Sequence, residues 1–218
     1  MAKVLYIQAS PRTESFSTRL ANAFAESYRK TRPDDRTEVL DLFAADIPLF
    51  TAPAAKAKYA VMGGQPPRDA AETAWQGVIK VINHFKGFDK YVLSCPMWNF
   101  GIPYRLKQYI DVIVQPGLTF SYSPEKGYSG LVAGRPLMLL LARGGTYPAG
   151  NNPAQTMDFQ ESYLRAIFGY MGFTEIRTVI IDGTLAKKPE QLEADTAKAI
   201  AAAGEAAVQF AQEAVLTA

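Results

Sequence analysis

Lys90-Tyr91-Val92-Leu93-Ser94-Cys95-Pro96-Met97-Trp98-Asn99-Phe100-Gly101-Ile102-Pro103 decides the fold of this 218-residue chain. The first six residues are a short apolar run closed by Pro96, which reads as a buried strand. The remainder is a loop stiffened by proline at both ends, crowded with ring-bearing side chains. Working outward, the same strand-then-turn pattern recurs. Lys3 to Gln8 ends in Ser10-Pro11. Thr37 to Leu42 is a shorter run. Pro136 to Ala142 is continuously apolar, the mark of a strand buried on both faces. Thr174 to Asp182 is a fifth.

Helical patterns separate these runs. Leu20, Phe24 and Tyr28 recur at steps of four, with Ala21 and Ala25 alongside. Trp75, Val78, Ile79, Ile82 and Phe85 form a second stripe. Arg105 to Val114 is a helix stopped by Pro116-Gly117. Phe159 to Met171 is another, and Leu185 to the end is long and alanine-rich. Residues 43–66 read as a long loop with a short helix. Leu118 to Tyr122 alternates like a strand and Pro124 to Gly130 is turn-rich, so residues 117–130 read as a hairpin excursion.

Five apolar strands separated by helices predict one α/β domain over residues 1–218: a doubly wound parallel sheet with helices on both faces. The natural order for five strands is 2-1-3-4-5, which puts a ligand at the carboxyl ends of strands 1, 3 and 4. Composition narrows the function. Net charge is +2, from 23 basic and 21 acidic residues well interspersed, which gives no field for nucleic acid. Cys95 and His84 are the only residues of their kinds, so no intrachain disulfide forms and no structural zinc site is expected. No apolar stretch reaches bilayer length and the start does not resemble a signal peptide, so a cytoplasmic protein is expected.

Three loops fall at the predicted switch point. Ser10-Pro11-Arg12-Thr13-Glu14-Ser15-Phe16-Ser17-Thr18 opens the first helix, whose unpaired N–H groups and hydroxyls suit a terminal phosphate dianion. Simple capping by Ser15 or Ser17 is the alternative. The loop lacks the glycine patterns of a dinucleotide or triphosphate site. Met97, Trp98, Asn99 and Phe100 suit a flat heteroaromatic ring; a loop folded into the core is the alternative. Ala142-Arg143-Gly144-Gly145 follows strand 4, and paired glycines let backbone N–H groups approach a ligand; a plain strand-to-helix turn is the alternative.

These residues together resemble the FMN-dependent NADH-azoreductases, also called NADH:quinone oxidoreductases. The likeness runs over nearly the whole chain and includes Leu106-Lys107-Gln108-Tyr109 with Asp111, and Gly117-Leu118-Thr119-Phe120. It implies a flavodoxin-like fold with Ser10, Ser15, Phe16 and Ser17 at the FMN phosphate. Met97, Trp98, Asn99 and Phe100 would wrap the isoalloxazine, and Ala142, Arg143, Gly144 and Gly145 would meet its far edge. Two departures stand out: Trp98 where the family has tyrosine, and Ala142 where it often has serine. The flavin would carry the chemistry, so no side chain is expected to be catalytic. Backbone N–H groups near Asn99 would face flavin N5, with those of Gly144 and Gly145 at the pyrimidine edge.

The resemblance further implies NADH as donor, with NADPH open, and ping-pong transfer to quinone, azo or nitroaromatic acceptors. It implies a homodimer with the site between subunits. Phe100, Phe120 and Tyr122 would line the substrate pocket, with Tyr170 a candidate from the partner or simply a core aromatic. A flavodoxin-type electron carrier without its own substrate is the rival, disfavoured by a slightly basic chain. Cys95 reads as a small apolar residue ending a strand. A low-molecular-weight phosphatase would need arginine where Gly101 stands. His84 lies near the end of the second helix beside Lys86-Gly87 and reads as a favourable neighbour of that helix's C-terminus.

Overall fold

The computed structural model describes residues 1–147 and 157–214. Strands β1 (Lys3–Gln8), β2 (Arg36–Asp41), β3 (Lys90–Pro96), β6 (Leu137–Ala142) and β7 (Ile176–Ile181) form one parallel sheet in the order β2-β1-β3-β6-β7. This is the expected 2-1-3-4-5 order of the flavodoxin-like class. Helices α1 (Phe16–Thr31), α2 (Ala52–Met62), α3 (Asp69–Lys86), α4 (Tyr104–Ile113), α5 (Glu161–Met171) and α6 (Pro189–Gln212) connect and flank it. The short helix expected within 43–66 is α2. Residues 215–218, the end of the expected last helix, lie outside the described residues.

Successive residues of a strand face opposite sides, so each central strand feeds two cores. Leu5, Ile7, Leu93, Leu139 and Leu141 pack under α3, α4 and α5, joined by Phe85, Tyr109 and Phe168. Val4, Tyr6, Val92, Met138 and Leu140 pack under α1 and α6, against Phe24, Tyr28 and Phe210. The unbroken apolar run of β6 is buried at every position. By contrast β2 is an edge strand whose first four residues are exposed, and its Arg36 and Glu38 discourage pairing with another chain.

Lys90 opens β3 and is almost wholly buried. Its ammonium donates to the carbonyls of Phe210 and Ala211 at 2.9 and 3.2 Å. Arg32 Nε donates to the same Ala211 carbonyl at 3.0 Å. Together they satisfy the bare carbonyls at the end of α6.

The excursion is an antiparallel hairpin, β4 (Phe120–Ser123) with β5 (Gly127–Gly130), separate from the main sheet. It is rooted at the amino-terminal ends of the strands, because α4 carries the chain back there from the loop after β3. Lys86 Nζ, closing α3, donates to Leu118 O at 3.0 Å, and Val132 N–H donates to Met171 O at 2.9 Å.

Candidate functional site

Winding reverses between β1 and β3, so the loops leaving β1, β3 and β6 open side by side. Residues from all three line one cleft. Ser10, Ser15 and Phe16 stand on one side, Met97 and Trp98 in the middle, and Ala142, Arg143 and Gly144 on the other.

Ser15 caps α1 and accepts from the Thr18 N–H at 3.2 Å. Its hydroxyl also meets Thr18 Oγ1 at 2.7 Å and Ser17 Oγ at 3.2 Å. The capping alternative is therefore true, and it does not use up the loop. Phe16 and Ser17 open the helix with N–H groups that reach no acceptor among the described residues. A helix start with bare N–H groups, a hydroxyl cluster and Arg12 at its mouth fits one phosphate dianion.

The second loop is a tight reversal. Trp98 and Gly101 exchange backbone hydrogen bonds of 3.0 Å in both directions. Between them Asn99 and Phe100 both take positive φ, 48° and 67°. That pair of left-handed residues is the geometry of a type I′ turn. Asparagine adopts it readily; phenylalanine does so at a cost, and such strain collects where a loop must present specific groups. The turn leaves the N–H groups of Asn99 and Phe100 without acceptors among the described residues, while Phe100 O accepts from Phe159 at 3.0 Å. Phe43 and Tyr104 hold the indole of Trp98, at ring separations of 5.9 and 6.4 Å.

The third loop is tied to the second, since the Met97 N–H donates to Ala142 O at 2.8 Å. Serine's missing hydroxyl thus costs nothing to that link, which is backbone. Arg143 turns inward rather than toward the cleft's centre. Its guanidinium lies 2.9 Å from Asp158 and 3.1 Å from Glu161, and donates to Gln160 Oε1 at 3.2 Å. Thr184 and Leu185 N–H groups donate to the carbonyls of Arg143 and Gly144, and Gly183 N–H to that of Gly145. The N–H groups of Gly144 and Gly145 themselves have no acceptor among the described residues.

Several contributors carry no sequence signal. Gln160 is completely buried and bridges two loops, donating from Nε2 to Cys95 O at 2.9 Å while accepting from Arg143. Thr184 and Leu185, after β7, wall the cleft beside Gly144. Each depends on a tertiary approach that local pattern does not encode.

Phe120, Tyr122 and Tyr170 are not brought to this cleft within one chain. Phe120 packs on Tyr170 at 4.7 Å, Tyr128 on Tyr170 at 5.3 Å, and Tyr122 on Tyr128 at 4.9 Å. They form an aromatic patch where the hairpin meets the end of α5. Phe100 is 44% exposed and, like Ser17, Asn99 and Gly145, does not line the cleft. Cys95 is buried, and burial pushes its thiol up to about 12, so it stays protonated and inert. His84 does more than sit at a helix end: its Nε2 meets Glu38 Oε1 at 2.6 Å across to β2. Among the described residues no helix is long and apolar enough to cross a membrane, and no cluster of three metal-ligating side chains occurs.

A family model described as a flavodoxin-like fold matches residues 2–207. An FMN-dependent NADH:quinone oxidoreductase of Nitratidesulfovibrio vulgaris is 50% identical, covering 96% of this chain and all of the relative. One of the same name from Desulfotalea psychrophila is 42% identical over 85% of this chain and 87% of its own. The crystal structure of an azoreductase from Bacillus anthracis superposes with a TM-score of 0.88 at 32% identity, covering 96% of this chain and all of that one. A Bacillus anthracis FMN-dependent NADH-azoreductase in complex with FMN gives 0.85 at 27%, over 97% and 100%. With its sheet order, its three converging loops and these likenesses, the chain belongs to the flavodoxin-like family of FMN-dependent NADH:quinone oxidoreductases and azoreductases.

Proposed function

We propose that this protein is an FMN-dependent oxidoreductase that passes reducing equivalents from NADH to quinones and azo compounds, and works as a cytoplasmic homodimer. The observation that carries the reading is the set of backbone N–H groups at Phe16, Ser17, Asn99, Phe100, Gly144 and Gly145. All six belong to the three loops at the sheet's switch point and all lack acceptors among the described residues; Phe16 and Gly144 line the cleft itself. Unpaired N–H groups on three loops that meet at a switch point suit a ligand with a phosphate at one end and hydrogen-bonding ring edges at the other.

Bound FMN would supply the redox chemistry, accepting hydride from NADH and delivering it to the second substrate. This chain's residues would bind and orient it. The α1 start with Ser10, Ser15 and Ser17 would hold the phosphate. Met97, Trp98, Asn99 and Phe100 would hold the ring, and the Gly144 and Gly145 N–H groups would favour negative charge at its edge. No side chain of the cleft needs to act as nucleophile or general base. Donor and acceptor would use the same open face in turn, giving ping-pong kinetics, and NADPH could replace NADH. Nitroaromatics fit the same face. In the homodimer, the aromatic patch of Phe120, Tyr122 and Tyr170 would wall the partner's cleft, which its distance from its own chain's loops favours.

The test is direct. The purified protein should be yellow and consume NADH steadily with a simple benzoquinone. Colourless protein that takes up no added FMN would overturn the assignment. Flavin binding without NADH–quinone turnover would instead point to an electron carrier.

A further inference from the structure

The loop after β6 turns its carbonyls in a way that a strand does not. At the end of the sheet Ala142 O accepts from Met97 N–H on the β3 side, while Arg143 N–H donates to Ile181 O on the β7 side. Continued alternation would point Arg143 O toward β7 and Gly144 O back toward β3. Instead the carbonyls of Arg143, Gly144 and Gly145 all face the turn that follows β7. They accept from the N–H groups of Thr184, Leu185 and Gly183 at 3.1, 3.0 and 2.9 Å. A trans peptide points its N–H opposite to the carbonyl before it, and no cis peptide occurs among the described residues. The N–H groups of Gly144 and Gly145 therefore point away from that turn. Since β6 lies between β3 and β7, that direction is the side of β3 and its loop. Two successive N–H groups on one side make a concavity that favours negative charge.

The turn is itself held from behind. Gly183 takes a left-handed φ of 67°, and a Cβ there would lie 2.7 Å from Lys187 Cε. Lys187 Nζ donates to Asp182 O at 3.0 Å and to Asp182 Oδ1 at 2.9 Å, and lies 2.9 Å from Asp195 Oδ2 on α6. Thr184 Oγ1 adds a second donor to Arg143 O, at 3.0 Å. Lys187 does not line the cleft, and its reach to the cofactor runs only through the turn. We infer that Thr184 and Lys187 are positioning residues that raise the reduction potential of bound FMN, by holding three carbonyls to one side so that the Gly144 and Gly145 N–H groups stay aimed at the ring's pyrimidine edge. The inference rests on the reading of those two N–H groups given above. Donors aimed before reduction favour the negative charge that reduction leaves on that edge.

The experiment is a redox titration of the FMN-loaded protein and its variants. Thr184→Val keeps the shape and loses the hydroxyl. It should lower the preference for reduced over oxidised FMN by about three- to tenfold, the worth of one hydrogen bond, which for a two-electron couple lowers the potential by about 15–30 mV. Thr184→Ser should restore the wild-type value. Lys187→Met frees the turn from both carboxylates and should shift the potential in the same direction. A purely structural role would lower the melting temperature and leave the potential where it was. In wild-type protein the amide resonances of Gly144 and Gly145 should move when FMN is added. A wild-type potential in either Thr184→Val or Lys187→Met, or no rescue by Thr184→Ser, would overturn the inference alone. Amides that ignore bound FMN would overturn the reading beneath it as well.

Discussion

Gln160 shows how one side chain can fix two loops. Its amide donates to Cys95 O at the end of β3 and accepts from Arg143 at the end of β6, with no exposure to water. Gln160→Leu keeps the volume and removes both hydrogen bonds, leaving Arg143 its carboxylate partners but its Nε without this acceptor. Leaving buried groups unpaired costs about 1–3 kcal/mol, so the melting temperature should fall by several degrees. FMN affinity should fall with it, read by fluorescence titration. At this scale the sequence was informative where backbone freedom or hydroxyl chemistry leaves a local mark, as at Ser15 or Gly144. It was silent at Gln160, since a glutamine before a helix looks the same whether it faces water or bridges two strands. His84 was legible as a helix-end residue, but its pairing with Glu38 needed the β2 register.

Among the elements, the hairpin is the most constrained. A Cβ on Gly130 would lie 2.2–2.3 Å from the backbone of Gly172 and Met171, so no side chain could move aside to admit it. Gly130→Ala should therefore lift the hairpin from the end of α5. Overpacking of this kind costs about 1–3 kcal/mol or more. The mutant's near-ultraviolet signal from Phe120, Tyr128 and Tyr170 should weaken, while the cleft between its three loops, at the opposite end of the sheet, keeps its hydrogen bonds. Retention of the wild-type aromatic signal and stability would refute the close approach. The alternation of Leu118 to Tyr122 sufficed to predict a hairpin. Which end of the sheet it would occupy followed from α4 returning the chain, and that is topology rather than periodicity. The left-handed pair Asn99 and Phe100 was likewise hidden, because phenylalanine in such a turn runs against its own preference.

For the molecule as a whole, Glu161 at the start of α5 contributes to its behaviour in acid. Burial raises the Glu161 carboxyl, but Arg165, through hydrogen bond and charge, with Thr178 and Arg143, leaves it below the ordinary carboxylate value. A carboxyl depressed in the folded state contributes stability that is fully present above its unfolded value. That contribution is lost as pH falls through the folded one. Unfolding free energy should thus decline as pH drops below the carboxylate range, and Glu161→Gln should flatten part of that slope; an unchanged slope would sink the account. The two-sided core was the most legible feature of all, because a run such as Leu137 to Leu141 has nowhere to go but between two layers. A homodimer was expected from the resemblance alone, since a surface patch of aromatic side chains has no period of its own to mark a contact.

Lys90 carries a consequence for biogenesis. The ammonium that opens β3 finds its acceptors 120 and 121 residues later, at Phe210 and Ala211. During synthesis the centre of the sheet therefore emerges long before the carbonyls that accept from this ammonium, and one hydrophobic face is covered by α1 alone until α6 arrives. The domain can close only once α6 has been made, so a chain truncated ahead of α6 should leave part of that face exposed and is expected to aggregate, read by light scattering against the full-length protein.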